Sequence, residues 1–569
     1  MSKPKQVKPE QKAPVKSTAP KIADTKPGEF TVTRPVLWLV VAAIAVYITS
    51  VSFGYTELDD SIFIKDFQGY NEDLHNLIAS FGRGLFDAVK DPYYRPLFSD
   101  AMIFNYQLSG VNIMGYHIVN IFLHAITVIL LFKLFRKLGI KELTAFILTL
   151  VFAVHPVLSQ AVAWIPGRND TMLAVFVLSF ILFAIDYSNN GKIRDLSLSA
   201  IFLLLAFFTK ETAVFAPPAA FILLVFVLNK NWLDKRNLLL YAKWVGVYLV
   251  WILARSMATT ASSGIASAQG LSDAVHRLPV IVQYIGKIFF PFNLSVFPTQ
   301  QDTVYYYGIA AIVVLVTIQL LYKQRNMKVV LGSMGIFLLF LMPALLVPNK
   351  LNAETFEHRL YLPIIGILLL LSQTILFNNN LTPKQLFISG LAVCGVFAAI
   401  NIYHQQSFSD PKTFWGQAME TSPHSAYANM MFAARLDKDE IGRSEALFRK
   451  AYTLNPREKY LNFYMGDMLQ KKDSVAASEK YLLTEKSISN YYLCDFLLAR
   501  VTMERKDYNG TEKYLLDYLK HDTKNSMANN NLLLLYIQTQ QPDKARTHIK
   551  QMEQLGVPVP AGIRQQMGM

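Results

Sequence analysis

From residue 35 to about 405 the chain alternates long apolar runs with short polar turns; from about Asp410 it becomes polar with a helical pattern. The first apolar run is Pro35 to about Gly54. Others follow at roughly 115–135, 143–164, 170–187, 196–209, 212–228, 238–255, 306–322, 329–347, 360–377 and 383–403. A bilayer core is crossed by about 20 apolar residues in a helix, so the pattern predicts an all-α polytopic membrane protein of about 11 spans. One further run, Leu278 to Val296, contains Pro291-Phe292-Asn293. It reads as a re-entrant or interfacial segment because a full crossing there would break the alternation of loop charge.

That alternation is carried by Arg136-Lys137 with Lys141, Lys192 with Arg194, Lys230 with Lys235-Arg236, Lys323 with Arg325 and Lys328, and Lys384. They fall on every second loop, as cytoplasmic anchors do. Residues 1–34 hold seven Lys, Arg34 and several Pro against three acids, a composition that predicts a disordered basic tail on the cytoplasmic side. The segment 55–115 is then external, and so is the region 410–569. With 52% hydrophobic residues, the net charge of +14 reads as membrane anchoring, not nucleic-acid binding. Two cysteines, Cys394 and Cys494, exclude a disulfide framework and a cysteine metal site.

The loop 55–115 is acidic in a basic chain, with nine carboxylates against four Lys or Arg. It opens with Glu57 and the pair Asp59-Asp60 and later carries Tyr93-Tyr94-Arg95-Pro96-Leu97. The other conspicuous polar groups sort to the same side of the membrane. His117, Asn120 and His124 share one helix face. His155 ends a span, and Trp164 with Arg168 and Asp170 marks the next external turn. Lys210-Glu211 and Glu357-His358-Arg359 fall at further external turns. Ionisable groups at the membrane edge are costly and tend to be functional or paired. A salt bridge or a packed His accounts for any one of them, but their shared side points to a single external site. Carboxylates beside Arg, Lys and His at a lipid–water boundary suit a phosphorylated lipid donor and a hydroxyl acceptor.

The polar region repeats. Ser444, Ala477, Thr511 and Ala545 are separated by 33, 34 and 34 residues. Four positions after each stand Phe448, Tyr481, Leu515 and Ile549, and in the first unit Ala451 and Pro456 follow. This small–large–small–Pro pattern predicts an α-solenoid of tetratricopeptide repeats over 410–569.

The ordered motifs Leu58-Asp59-Asp60, Tyr93-Tyr94-Arg95-Pro96-Leu97, Gly115-Tyr116-His117 through His124 and Phe152-Ala153-Val154-His155-Pro156-Val157 resemble those of a known family. So do Ala161-Val162-Ala163-Trp164-Ile165-Pro166-Gly167-Arg168-Asn169-Asp170, Thr209-Lys210-Glu211 and Glu357-His358-Arg359-Leu360-Tyr361. The family is the transmembrane and tetratricopeptide-repeat protein O-mannosyltransferases, of the GT-C glycosyltransferase superfamily. The likeness covers about 36–405 and the repeats behind it. It implies an inverting transferase that takes a sugar, mannose or similar, from a polyprenyl-phosphate donor to Ser or Thr hydroxyls of exported proteins.

By that analogy Asp59 or Asp60 is the base. Arg95, Arg168, Asp170, Lys210, Glu211, Glu357, His358 and Arg359 belong to donor-phosphate or substrate binding, and His155 shapes the site. Some superfamily members use a divalent metal and others do not; here a metal is the minority expectation. The family usually has Glu-Arg before its Leu-Tyr pair, whereas this chain inserts His358. The expected partners are a lipid-linked sugar, a polypeptide presented by the repeats and a protein-export translocon. The expected place is a bacterial inner membrane with site and repeats in the periplasm, or else the ER membrane with a lumenal site. A transferase acting on a glycolipid or surface polysaccharide, and a non-catalytic scaffold on the secretion machinery, are the competing readings.

Overall fold

The computed structural model of the chain describes residues 31–86, 92–259, 268–346, 354–378, 381–560 and 562–566. Residues 1–30 of the Lys-rich tail and 87–91 of the acidic loop lie outside the described residues. Regular structure among the described residues is helical, with one isolated bridge between Thr299 and Glu354. The chain divides into two units. One holds the apolar helices; the other holds Asp410 onward together with Ser295–Thr303 and Glu354–Phe356.

The helices of the first unit that matter below are α1 (Pro35–Tyr47), α2 (Pro96–Ser109), α3 (Met114–Lys137), α4 (Glu142–Val154), α5 (Ser159–Ala163), α6 (Arg168–Asn190) and α7 (Ile193–Thr209). They continue with α8 (Lys235–Ala258), α9 (Val280–Phe289), α10 (Tyr306–Leu321), α11 (Met327–Leu346), α12 (Pro363–Leu371) and α13 (Pro383–Gln405). Among the described residues six of the apolar runs form helices long and apolar enough to cross a membrane: α1 with its 3₁₀ extension to Ser52, α3, the Ile165–Asn190 helix built on α6, α8, α11 and α13 extended to Phe408. The run 143–164 is bent by 49° where α4 meets the segment beginning at Pro156. His155 stands before that proline in an extended conformation, as the steric clash of a pre-proline residue requires.

The remaining runs give shorter helices. The 212–228 run passes through 3₁₀, α and π turns around Pro217-Pro218, and α12 stops at Leu371, well short of 377. The segment 278–296 forms α9, ten residues long and so about 15 Å. That is half a hydrocarbon core.

Helix ends follow local chemistry. α3 closes on Arg136-Lys137, cations at the negative end of the helix dipole. α6 ends at Gly191 with φ 67, the left-handed cap that glycine allows without strain. α13 opens with Pro383 after a capping box between Thr382 and Gln385. Antiparallel α6 and α7 pack as a hairpin, α6 also lies on α3, and α1 lies on α3. The N-terminus of α6 therefore meets the C-terminus of α7, at the end of the bundle that carries the acidic loop.

The second unit is a run of helix pairs: α14 (Ala426–Ala433) with α15 (Ile441–Leu454), α16 (Leu461–Lys471) with α17 (Val475–Ser489), α18 (Leu493–Glu504) with α19 (Tyr508–Leu519), and α20 (Ser526–Gln538) with α21 (Pro542–Gln554). Ser444, Ala477, Thr511 and Ala545 occupy equivalent places on the second helix of each pair. A second periodic signal appears on the first helices. Asn429, Asn462 and Asn529 each donate to the backbone carbonyl six residues earlier, at Pro423, Pro456 and Thr523. Each amide thus ties the loop before its helix to that helix.

Candidate functional site

Asp59 and Asp60 are neighbours in different surroundings. Asp60 is 1% exposed. Its Oδ2 accepts from the Thr56 N–H at 2.6 Å and the Thr56 hydroxyl at 3.0 Å, and its Oδ1 from the Ser61 N–H at 2.9 Å. These bonds close the turn in which Glu57 has φ 55. The carboxylate of Asp59, half-buried, takes no hydrogen bond from the described residues. Burial and the charge of Asp60 push its carboxyl up to about 6, against the opposing pull of Arg95. A carboxylate that is held close to neutral pH and is not engaged by its own turn is what proton acceptance from a hydroxyl requires.

Arg95 precedes α2 and is latched to the end of α7. Its Nε donates to Glu211 Oε2 at 2.9 Å, while the Tyr94 N–H donates to Oε1 at 2.8 Å. The guanidinium also lies 4.6 Å from the centre of the Tyr93 ring. Glu211 thus fixes the Tyr93-Tyr94-Arg95 stretch to the membrane helices. Next to it, Lys210 Nζ donates to both oxygens of Asp170 at 2.7 and 2.8 Å. The α6–α7 hairpin brings these two together, and the α6 N-terminus favours the carboxylate.

His358 and Arg359 lie in the 3₁₀ turn Glu357–Leu360. Gln160 Oε1 accepts from the Glu357 and His358 N–H groups at 2.9 and 3.1 Å, and from His358 Nδ1 at 3.2 Å. The His358 ring packs on Trp164 at 5.7 Å. Burial, then the charges of Lys210, Arg359 and Arg95, keep its imidazole well below its ordinary range, hence neutral. Those three cations therefore act on one place from three separate elements, with Glu211 paired to Arg95 and Asp170 to Lys210. Arg359 donates to the Tyr284 hydroxyl.

Two predicted residues are enclosed by the fold. Arg168 is fully buried. Its Nε reaches Asn120 Oδ1 at 2.8 Å, and its Nη2 reaches Asn105 Oδ1 at 2.7 Å and the Tyr116 carbonyl at 2.8 Å. Its Nη1 donates to the Ala101 carbonyl at 3.3 Å. The guanidinium braces α2, α3 and α6. His155 is also buried: Nε2 donates to the Ile288 carbonyl at 2.9 Å and Nδ1 accepts from the Val157 N–H at 3.2 Å. Glu357, 0% exposed, faces Lys287.

His117, Asn120 and His124 do share the buried face of α3. His124 joins the Ala153 carbonyl to the Tyr361 hydroxyl, and Asn120 donates to the carbonyls of Val162, Trp164 and Ile165. The sequence reading missed Gln160, Tyr284 and Lys287. Gln160 stands between two recognised motifs without belonging to either, and the other two sit in the segment read only for topology.

Among the described residues no group of three or more His, Cys, Asp or Glu is arranged to hold a metal ion.

Residues 95–256 match the family model described as dolichyl-phosphate-mannose-protein mannosyltransferase. That span includes Arg95, His155, Arg168, Asp170, Lys210 and Glu211. The chain is 35% identical over 138 residues to protein O-mannosyl-transferase TMTC1 of Mus musculus, covering 24% of this chain and 15% of the mouse protein. It is 30% identical over 144 residues to protein O-mannosyl-transferase F38B6.6 of Caenorhabditis elegans, covering 25% and 20%. It is 31% identical over 205 residues to protein O-mannosyl-transferase TMTC4 of Homo sapiens, covering 32% and 27%. The matches thus span less than a third of each relative's length. They agree with the family resemblance read from the motifs, and the regular structure of the membrane unit's described residues is helical.

Proposed function

We propose that this chain is a membrane protein O-glycosyltransferase. It moves a mannosyl or similar sugar from a polyprenyl-phosphate carrier to Ser or Thr hydroxyls of exported proteins, with inversion at the sugar carbon. The observation that carries this reading is the half-buried Asp59 carboxylate, not hydrogen-bonded by its own turn and within the field of Arg95, which with Lys210 and Arg359 also acts on His358. Asp59 takes the proton of the acceptor hydroxyl as its oxygen attacks the sugar carbon. The carrier phosphate leaves with the bonding electron pair, and its growing charge is met by Arg95, Lys210 and Arg359. Asp170 and Glu211 hold two of those cations in place. The paired helices of the second unit, read as tetratricopeptide repeats, present the acceptor polypeptide. The reading places site and repeats on the external face of a bacterial inner membrane, where a translocon would deliver unfolded Ser/Thr segments.

The test is transfer by the purified full chain in detergent, given a mannosyl polyprenyl phosphate and a Ser/Thr-rich peptide. A hexose added to the peptide, read by mass spectrometry, supports the reading; sugar appearing only on an added glycolipid acceptor overturns it. The same assay carries a pH prediction. The base works ionised, so kcat/KM climbs with pH through the Asp59 value of about 6. Arg95 lowers that value, so Arg95→Gln is expected to move the acidic limb to higher pH while also raising the donor KM. An unmoved limb would separate Arg95 from the base.

A further inference from the structure

The short helix α9 was read from sequence only as a segment that fails to cross the membrane. Its side chains do more than avoid crossing. Tyr284 and Lys287 stand three residues apart, on one face of the helix. Lys287 Nζ donates to Glu357 Oε1 at 2.6 Å, with the two side chains 1% and 0% exposed. The Tyr284 hydroxyl accepts from Arg359. One helix face therefore holds both ends of the Glu357-His358-Arg359 turn, while Gln160 holds its backbone from the other side.

α9 itself is seated on backbone. A Cβ on Gly286 would lie 2.6 Å from the Gly308 nitrogen, and one on Gly308 would lie 1.9 Å from the Val282 carbonyl oxygen. Only glycines allow α9 and α10 to meet this closely, and helices in such contact have little room to rock. A rigid half-length helix with a buried cation and a tyrosine aimed at one turn is costly to maintain for packing alone. A buried Lys–Glu pair contributes little net stability compared with an apolar pair of the same volume. It does, however, specify one geometry.

We infer that Lys287 and Tyr284 are positioning residues that set the Arg359 guanidinium among Arg95 and Lys210, so that α9 governs affinity for the lipid-linked phosphate. This rests on the functional reading above, with Arg359 on the donor phosphate. Tyr284 acts on Arg359 directly. Lys287 acts through Glu357, two residues away on the same turn. Neither touches the sugar or the acceptor, so the signature is a change in donor KM with acceptor KM unmoved.

The experiment uses the purified full chain with mannosyl polyprenyl phosphate as the varied substrate and four variants. Tyr284→Phe removes only the hydroxyl and is expected to raise the donor KM about tenfold, the scale of losing one hydrogen bond to a charged group, with thermal stability unchanged. Lys287→Met strands the buried Glu357 charge and is expected to lose folded protein. The double variant Lys287→Met/Glu357→Gln removes both charges, restores stability and keeps the raised donor KM; a purely structural pair would restore both. Arg359→Gln sets the ceiling of the effect. If wild type transfers sugar, Arg359→Gln raises the donor KM, and Tyr284→Phe and the stable double variant match wild type, the positioning role is overturned while the functional reading stands. If wild type transfers no sugar from this donor, the functional reading fails and this inference with it.

Discussion

Asp59→Asn is expected to leave a folded, membrane-inserted protein whose turnover falls by about 10²–10⁴, the usual contribution of a positioned general base. The variant is close to isosteric, and the Asp59 carboxylate accepts no hydrogen bond that the fold depends on. Donor KM should change little, because the phosphate cations are untouched. The informative control is Asp60→Asn. Asp60 accepts three hydrogen bonds across its two oxygens, and an amide can serve only one side. The other side would face buried donors with an NH₂ group, at a cost of about 1–3 kcal/mol. That variant is expected to lose thermal stability yet retain turnover in the fraction that folds. Its acidic limb should move to lower pH, because the charge of Asp60 is part of what raises Asp59. Intact-mass readout of sugar on a Ser/Thr peptide, with melting curves alongside, separates the two. The reverse pattern, a silent Asp59→Asn and a dead but stable Asp60→Asn, would hand the base role to Asp60.

The sequence could narrow the proposed base to two residues and no further, and the reason is local. Adjacent residues on an irregular turn have no periodicity, so which carboxylate folds back onto Thr56 is set by the turn itself. Where periodicity existed, the sequence was informative. His117, Asn120 and His124 at steps of three and four had to share a face once α3 was a helix, and they do. The 33- and 34-residue steps from Ser444 to Ala545 likewise became equivalent places on successive helix pairs. Apolar run length was a weaker guide to helix length, since Pro217-Pro218 divides a continuous apolar stretch into short turns of different kinds. Least legible were pairings made only by tertiary structure. Lys287 and Glu357 are 70 residues apart, and Gln160 meets Glu357 across 197. Nothing near any of these in the chain marks them as partners.

Arg168 carries such distant partners alongside the phosphate-side role its motif implies, and the variant that separates the two is Arg168→Met. The guanidinium meets two asparagine oxygens and two backbone carbonyls drawn from α2 and α3. Methionine approximates its stem and supplies none of the donors. Four acceptors would be left buried, with Asn105 and Asn120 no longer tied to α6. Each orphaned acceptor costs about 1–3 kcal/mol before the site relaxes, so the total is large beside the marginal stability of any fold. Arg168→Met is therefore expected to melt far below wild type or to be cleared from the membrane. Arg168→Lys should rescue it only in part, because one ammonium cannot span acceptors set in a planar fork. Lys210→Gln should behave in the opposite way. Lys210 ends α7 beside a single carboxylate, Asp170, so the fold is expected to survive while donor KM rises. Measured together, the two variants separate a brace from a ligand. Should Arg168→Met remain stable and lose only donor affinity, its guanidinium must leave Asn105 and Asn120 when the lipid phosphate binds. The phosphate site would then extend from Arg95 and Lys210 into the seam between α2 and α3.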